Sequence, residues 1–439
     1  MKLLFPAPAL DDLTRTLLAS PDESCAILIG EVQDEKVISS STYTASRHAY
    51  RHRDSISAIL SPDFLVPVVA KARERGAAVI FVHTHPGSQG TPVFSAIDDA
   101  GEKELAAFLD RRIPDRPHMA AVIGPDGIAA RRLGTNEPVR ILQVGASITE
   151  PTAGREDGRD LGLWDRQVRA FGVDGQSILR RLKVAIVGAG GTGSVVAKQL
   201  THLGVGELLI IDPDIVEDTN LNRLVGASLG DVGKSKAEVM ASEIARTGLG
   251  TKVTASSADV RSPAAIDKIA ACDAIFSCTD SHSSRAVLNQ VAFQYLVPTF
   301  DVGVAIGTKD GGIQHVAGRA QMLAPGLGCL VCGNALNGET IRRELMSAEA
   351  LAADPYFDGD GVAQPAVVSI NSTMASLLVT MFLSAFTGAP LRARLQYYDG
   401  MSGRVRAAAQ RPDPTCLVCS SSGALAKGPS WPIVTGMMP

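Results

Sequence analysis

One stretch constrains this chain more than any other. The apolar run Val184–Val187 ends on Gly188-Ala189-Gly190-Gly191-Thr192-Gly193-Ser194. A glycine turn between a strand and a helix brings backbone N–H groups close to a phosphate. The next apolar run closes on Asp212; Asn220-Leu221-Asn222-Arg223, Gly233-Lys234-Ser235-Lys236 and Thr279-Asp280 follow. Taken alone, the G-x-G-x-x-G of Gly188, Gly190 and Gly193, with Asp212 near the spacing for ribose hydroxyls, fits a nicotinamide dehydrogenase equally well. The downstream residues discriminate. A redox dinucleotide has no need of Arg223 and Lys236 beside its phosphates, nor of Asp280 at the end of a later strand. A triphosphate attacked by a carboxylate does, because its negative charge repels the incoming group until cations and magnesium neutralise it. Singly, Arg223 and Lys236 read as solvated surface charges. In this order they form a set, and the set predicts a nucleoside triphosphate with magnesium, a carboxylate nucleophile and departing pyrophosphate.

Around the turn, candidate strands Val184–Val187, Leu208–Asp212, Val253–Ser256, Ala274–Cys278 and Thr299–Val302 alternate with candidate helices Ser194–Leu203, Lys234–Arg246 and Ser284–Tyr295. This predicts an α/β, doubly wound parallel sheet with its ligand at the carboxyl ends of the strands. The expected organisation is a first domain over 1–135, a linker over 136–160, a second domain over 161–425 and a tail over 426–439. In the first domain, apolar runs (Cys25–Ile29, Ala78–Val82, Met119–Ile123) alternate with helical patterns at Phe64–Arg75 and Ala100–Arg112, an α/β or α+β arrangement. The stretch Thr149–Asp160 is polar, carries Pro and Gly and has no periodicity. Val139–Val144, just before it, reads either as a last strand of the first domain or as a strap between domains.

A formal net charge of −4 offers no basic stripe for nucleic acid. Asp11, Asp12 and Arg15 interrupt the first apolar residues, so no signal sequence is read there. The apolar segment Met374–Phe386 is short for a membrane span and reads as a buried helix. No membrane association is expected, and the expected compartment is the cytoplasm. Four of the seven cysteines fall into two C-x-x-C pairs, Cys329/Cys332 and Cys416/Cys419. Two such pairs supply four thiolates, the set for a closed tetrahedral zinc. A redox role would use one pair and leave the other unexplained; with four thiolates the zinc is structural. Cys25, Cys272 and Cys278 lie in apolar runs and read as packed hydrophobes.

His83-Thr84-His85-Pro86 follows the run Ala78–Val82, and Ser95-Ala96-Ile97-Asp98 follows a loop with Gly and Pro. Histidines at i and i+2 point the same way off an extended chain. With a carboxylate they make three ligands to a zinc that keeps one position open for water, as hydrolysis requires. Asp99 competes with Asp98 for that place; the spacing from Ser95 favours Asp98.

Two resemblances follow. From Trp164-Asp165-Arg166-Gln167 through Cys419 the second domain resembles the adenylating domain of the ThiF/MoeB/HesA family, relatives of ubiquitin-activating enzymes. The resemblance implies Gly188, Gly190, Gly191 and Gly193 in the nucleotide turn and Asp212 on ribose. It implies Asn220, Arg223 and Lys236 on the phosphates, and Asp280 on magnesium. It also implies that Arg166 is lent to the active site of the neighbouring subunit, hence a homodimer. Leu224 and Trp164 depart from a frequent Gln and Tyr, and neither change removes a charge. A larger departure is the lack of any cysteine between Gly333 and Thr415, where relatives that pass their product to a thioester or persulfide carry one. Over about Leu4–Arg132 the first domain resembles the JAB/MPN metallopeptidases, with a His85–Asp98 loop slightly longer than usual. That resemblance implies Glu23, in Glu23-Ser24-Cys25-Ala26-Ile27-Leu28-Ile29-Gly30, as general base. It also implies His83, His85 and Asp98 on zinc and Ser95 as the oxyanion stabiliser. Together they imply adenylation of the C-terminal glycine of a ubiquitin-like protein by one domain and trimming or removal of that protein by the other. A conjugating-enzyme-like protein is a possible further partner. The alternatives are activation of a small molecule or short peptide, for sulfur transfer or antibiotic synthesis, and a first domain that only docks the partner.

Overall fold

The computed structural model describes residues 1–150, 162–346 and 365–433. The chain divides into two compact units: Met1–Gly154 with Gln294–Leu296 and Ala424–Pro432, and Arg155–Phe293 with Val297–Gly423 and Ile433–Pro439.

In the first unit the chain order is β1 (Lys2–Pro6), α1 (Ala7–Leu17), β2 (Cys25–Gln33), β3 (Lys36–Thr44), β4 (Tyr50–Arg53), β5 (Ala58–Leu60), α2 (Pro62–Glu74), β6 (Ala78–Thr84), α3 (Ala96–Arg112), β7 (Met119–Gly124), β8 (Gly127–Arg132), β9 (Arg140–Val144) and β10 (Ile148–Thr149). The main sheet runs β10-β9-β1-β3-β2-β6-β7-β8, and β4 and β5 form a separate hairpin. The alternation of a strand sends successive side chains to opposite faces. Leu28, Ile80 and Val82 therefore join one core with Leu10, Leu13 and Leu17 of α1. Ile27, Ile29 and Val79 join another with Val68, Val69 and Leu109. Both faces being covered explains why β2, β6 and β7 read as continuous apolar runs.

Two expected boundaries shift. Arg140–Val144 lies inside the expected linker but pairs in parallel with β1 from Lys2↔Arg140 to Pro6↔Val144, and Val139 and Ile141, two residues apart, join the same core as Leu3 and Phe5. The expected tail is packed into the first unit as far as Pro432. There Gln294 Nε2 donates to the carbonyls of Gly428 and Trp431 at 2.7 Å each.

The second unit contains α4 (Asp165–Arg181), β11 (Lys183–Val187), α5 (Gly191–His202), β12 (Glu207–Ile211), α6 (Lys236–Arg246), β13 (Lys252–Ser256), α7 (Pro263–Ala270), β14 (Ala274–Ser277), α8 (His282–Gln294), β15 (Thr299–Lys309), β16 (Gly312–Leu323), α9 (Gly338–Glu344), α10 (Val368–Thr387), β17 (Leu395–Asp399) and β18 (Arg404–Ala407). Its sheet runs β13-β12-β11-β14-β15-β16-β17-β18. The five expected strands pair in parallel. Beyond them, β15 continues to Lys309 and leads an antiparallel extension through β16, β17 and β18 that the sequence reading did not include. The strand order reverses between β11 and β14. That switch point opens a crevice beyond the carboxyl ends of the strands.

The helix expected at Met374–Phe386 is longer. At 20 residues α10 meets the length and hydropathy of a membrane span, with half of its most apolar window buried. It packs on α4, α5, β15 and β16, and Phe382 meets Phe276 and Phe300 at ring distances of 5.4 and 5.5 Å.

Candidate metal and nucleotide sites

In the first unit, β2 and β6 pair with Cys25 opposite His83, which brings the chain before β2 beside the end of β6. His83 Nε2 lies 3.1 Å and His85 Nε2 3.3 Å from the Asp98 carboxylate. The two Nε2 atoms are 3.3 Å apart, and Glu23 Oε1 is 3.5 Å from His85 Nε2. Two ring nitrogens and a carboxylate aimed at one point are the donor set of a three-ligand zinc site. Asp99 turns away, to Arg131 Nη1 at 2.7 Å. Burial pushes the Asp98 carboxyl up, but hydrogen bonds with His83 and His85 outweigh it and hold it well below the usual range. The Asp98 hydrogen bond raises His85, and burial raises Glu23. His83 stacks on Phe81 at 5.7 Å, and its Nδ1 is buried without a hydrogen-bond partner among the described residues.

Ser95 is the N-cap of α3. Its Oγ accepts the Asp98 N–H at 3.2 Å and its own N–H donates to Asp98 Oδ2 at 2.6 Å, a reciprocal capping box. The S-x-x-D spacing thus has a local role: it fixes the ligand carboxylate on the first turn of the helix. The Ser95 hydroxyl hydrogen is not used by that bond.

The chain around Glu23 is clamped by residues the sequence reading passed over. Arg53 donates from Nε to the Glu23 carbonyl at 2.7 Å and from Nη2 to Ser24 Oγ at 2.6 Å. Glu23 N–H donates to the Asp54 carbonyl at 2.8 Å, and Cys25 N–H donates to Tyr50 Oη at 2.8 Å. A basic and aromatic hairpin thirty residues downstream carries no periodic signal that points to Glu23.

In the second unit the glycine turn leaves β11 as expected. Gly188 has φ of 93° and sits against the Cys278–Thr279 backbone, where a Cβ would come within 2.7 Å of the Cys278 carbonyl oxygen. A Cβ on Gly193 would overlap the Gly188 carbonyl, and one on Gly191 would press on Asn371 and on Arg223 Cγ. Gly190 is the N-cap of α5 with open space beside it. Arg223 is therefore packed beside the turn; its Nη1 donates to the Thr219 carbonyl at 2.9 Å. Asp212 accepts the N–H of Ala189 at 2.6 Å, inside the turn, and that of Asp214 at 2.9 Å. Burial raises its carboxyl against those two bonds. Asp214, which the sequence reading missed, holds Lys236 Nζ at 2.8 Å; the Asp212-Pro213-Asp214 sequence was its only signal. Asn220 is buried and accepts the Glu217 N–H at 3.1 Å. Asp280 lies two residues beyond Cys278, whose N–H donates to the Val187 carbonyl at 2.8 Å, so the Asp280 loop flanks the turn. Arg166 is exposed near the start of α4.

The four cysteines converge. Sγ separations are 3.6 Å for Cys329–Cys332 and Cys329–Cys416 and 3.5 Å for Cys332–Cys419. Disulfide bonds are near 2.05 Å, whereas a tetrahedron with bonds of about 2.3 Å has edges of about 3.8 Å. Amide N–H groups of Cys332, Asp413 and Val418 point at the sulfurs. A hydrogen bond with Cys419 draws the Cys329 thiol down to about 5. Burial raises Cys416, and the Cys329 contact raises Cys419. Four thiolates this close need a cation to coexist, and the cluster could hold one metal ion.

Residues 164–418 match the family model described as the ThiF family, and residues 6–134 match the model for prokaryotic homologs of the JAB domain. The adenylyltransferase and sulfurtransferase MOCS3 of Caenorhabditis briggsae is 29% identical over 263 residues, 59% of this chain, which spans 60% of that protein's length. The SAMP-activating enzyme E1 of Haloferax volcanii is 28% identical over 61% of this chain and 92% of its own. The molybdopterin-synthase adenylyltransferase of Salmonella typhimurium is 30% identical over 58% and 95%.

Proposed function

This chain belongs to the ThiF family, and from that premise we propose that it adenylates the C-terminal glycine carboxylate of a ubiquitin-like protein, while its first unit cuts peptide or isopeptide bonds to that protein. One observation carries the reading: Asp212 and Arg223 contact the glycine turn at the switch point of the sheet, the Asp280 loop flanks it, and Lys236 is held by Asp214, whose N–H donates to Asp212.

Asn220, Arg223 and Lys236 bind the triphosphate and draw off its negative charge, and Asp212 orients the ribose. The incoming carboxylate oxygen forms a bond to the α-phosphorus as the bond to the bridging oxygen breaks, giving acyl-adenylate and pyrophosphate. Asp280 would hold magnesium, which supplies charge shielding at the phosphates. Arg166 is exposed for donation to a second copy of the chain, in a homodimer. In the first unit His83, His85 and Asp98 would hold zinc, which supplies Lewis acidity at the attacked carbonyl. Glu23, raised by burial, takes a proton from the attacking water and returns it to the leaving amine. Ser95 donates its free hydroxyl hydrogen to the developing oxyanion. Cys329, Cys332, Cys416 and Cys419 would hold a structural zinc. The cytoplasm is the proposed compartment, and a conjugating-enzyme-like protein is a proposed acceptor.

The test is ATP–pyrophosphate exchange with proteins ending in glycine. Exchange that needs Lys236 and Asp280, with processing that is lost in Glu23→Gln while exchange persists, supports the reading. Normal processing by Glu23→Gln overturns the base assignment. A second reading, activation of a short peptide or small molecule with the first unit as a docking module, is favoured by the lack of a cysteine between Gly333 and Thr415. Exchange driven by a peptide and by no ubiquitin-like protein would select it.

A further inference from the structure

The loop that carries Asp280 is fixed at its far end by a residue with no part in the mechanism above. The first N–H groups of a helix have no partner within it, and α8 begins two residues after Asp280. Glu344, the last residue of α9, supplies the partner. Its carboxylate accepts Ser281 Oγ–H at 2.7 Å, His282 N–H at 3.0 Å and Ser283 N–H at 2.6 Å. Ser281 Oγ in turn accepts the Ser284 N–H at 3.2 Å. The same segment adds Asn337 N–H, which donates to His282 Nδ1 at 3.2 Å. Arg261 Nη1 donates to the Glu344 carbonyl at 3.2 Å. Further along α8, Asn289 Oδ1 accepts the N–H of Leu330 at 2.9 Å, inside the first cysteine pair. The chain leaving Cys329 therefore grips α8 at two points.

We propose that Glu344 is a positioning residue for the magnesium site, fixing the Asp280 loop from the side opposite Cys278 and coupling it to the four-cysteine cluster. The proposal rests on the reading of Asp280 as the magnesium ligand. One end of the loop is already set by the Cys278 N–H bond to Val187. Without Glu344 the other end loses three bonds to a charged acceptor, the stronger kind of hydrogen bond. Asp280 then samples more positions and holds magnesium less tightly, while Arg223 and Lys236 keep their own anchors.

The experiment is calorimetric binding of a non-hydrolysable ATP analogue to the full chain at varied magnesium. It compares wild type, Glu344→Ala, Glu344→Gln, Asp280→Asn and, as a control on an exposed α9 residue, Glu339→Gln. Glu344→Ala is expected to raise the magnesium concentration for half-maximal binding about tenfold without changing metal-free affinity. It should also speed amide exchange at Ser281–Ser284. Glu344→Gln, whose amide oxygen still accepts N–H bonds, should recover part of the loss, and Glu339→Gln should match wild type. Should Glu344→Ala fail to fold, Glu344→Gln carries the test with a smaller shift. Wild-type magnesium dependence in the Glu344 variants, with Asp280→Asn impaired, overturns this proposal alone. Wild-type dependence in Asp280→Asn overturns the magnesium reading and this proposal together.

Discussion

Arg131 holds Asp99 at 2.7 Å, and that contact leaves Asp98 to face His83 and His85. Successive residues of a helix point about 100° apart, so one turn of α3 sends two adjacent aspartates to different partners. Arg131 is itself fixed, 2.9 Å from the buried Glu102 and over the Phe94 ring. Asp98→Asn is expected to cost the first unit its metal, taking the chain from two bound zinc ions to one. Asp99→Asn should keep both and lose no more than about 1 kcal/mol of stability, as for a partly exposed ion pair. Elemental analysis of the purified variants measures this; equal zinc in both would remove Asp98 from the ligand set.

Arg223 packs beside the glycine turn at Gly191, and Lys236 is held by Asp214, whose N–H donates to the Asp212 carboxylate that bonds the turn. Each places a cation where phosphate charge is expected. Removing one such preorganised group costs about a hundredfold or more in rate. Lys236→Ala and Arg223→Ala should each lower pyrophosphate exchange by about that much and leave peptidase activity unchanged. Exchange within twofold of wild type in both variants would discard the phosphate assignment.

How much of this was legible in the sequence follows from where the signals are local. The strand–glycine–helix turn, the two histidines and both C-x-x-C pairs show because backbone chemistry or ligand spacing needs those residue types close together. The antiparallel strands Gly312–Leu323, Leu395–Asp399 and Arg404–Ala407 did not show. Gly312–Leu323 is solvent-facing over its first half and Arg404–Ala407 throughout, so neither reads as an apolar run. Arg140–Val144 stayed ambiguous because its partner, Lys2–Pro6, lies at the other end of the domain. Pairings of that range are set by tertiary packing. The clamp of Arg53 on the Glu23 carbonyl and the bonding of Lys236 to Asp214 escaped for the same reason: each joins residues about twenty or thirty positions apart with no periodicity between them.

Cys329 and Cys416 are buried, and their sulfurs lie 3.6 Å apart. Without a cation the cluster must stay largely protonated, and the amide N–H groups aimed at it lose charged acceptors. Cys416→Ser should therefore release one zinc and destabilise the second unit by several kcal/mol, the scale on which a structural metal contributes. A chelator should reproduce the loss in thermal unfolding of the wild type. An unchanged midpoint in both experiments would rule out a structural metal.

His118 should make the first unit acid-sensitive. It is buried, accepts the Val79 N–H on Nδ1 at 3.0 Å and lies 3.0 Å from the Ile113 carbonyl through Nε2. Nδ1 must therefore be unprotonated, and burial holds the imidazole below its ordinary range. With the folded pKa lower than the unfolded value of about 6.5, the unfolded chain binds more protons as pH falls below 6.5. The stabilisation is complete above that value and is lost as pH drops through the folded pKa. Urea unfolding followed from pH 7.5 to 5 should show the loss in wild type, and a flatter profile in His118→Gln. Parallel profiles would exclude His118 as the cause.

Gly193 and Gly190 differ in what a methyl group would meet, though both belong to the G-x-G-x-x-G. At Gly193 it overlaps the Gly188 carbonyl, which belongs to the backbone and cannot swing aside as a side chain would. At Gly190 φ is −77°, ordinary for any residue, and no atom lies within 4 Å. Gly193→Ala should force α5 away from β11 and destabilise the second unit by about 3 kcal/mol or more, as overpacking against fixed atoms does. Gly190→Ala should fold with an unfolding midpoint near wild type. Any deficit in Gly190→Ala then falls on nucleotide affinity, because the open space beside it lies at the N-terminus of α5, where a phosphate would sit. Thermal unfolding and ATP-analogue binding on the two variants separate fold from ligand. Similar midpoints would show that the close approach at Gly193 is not what requires a glycine there.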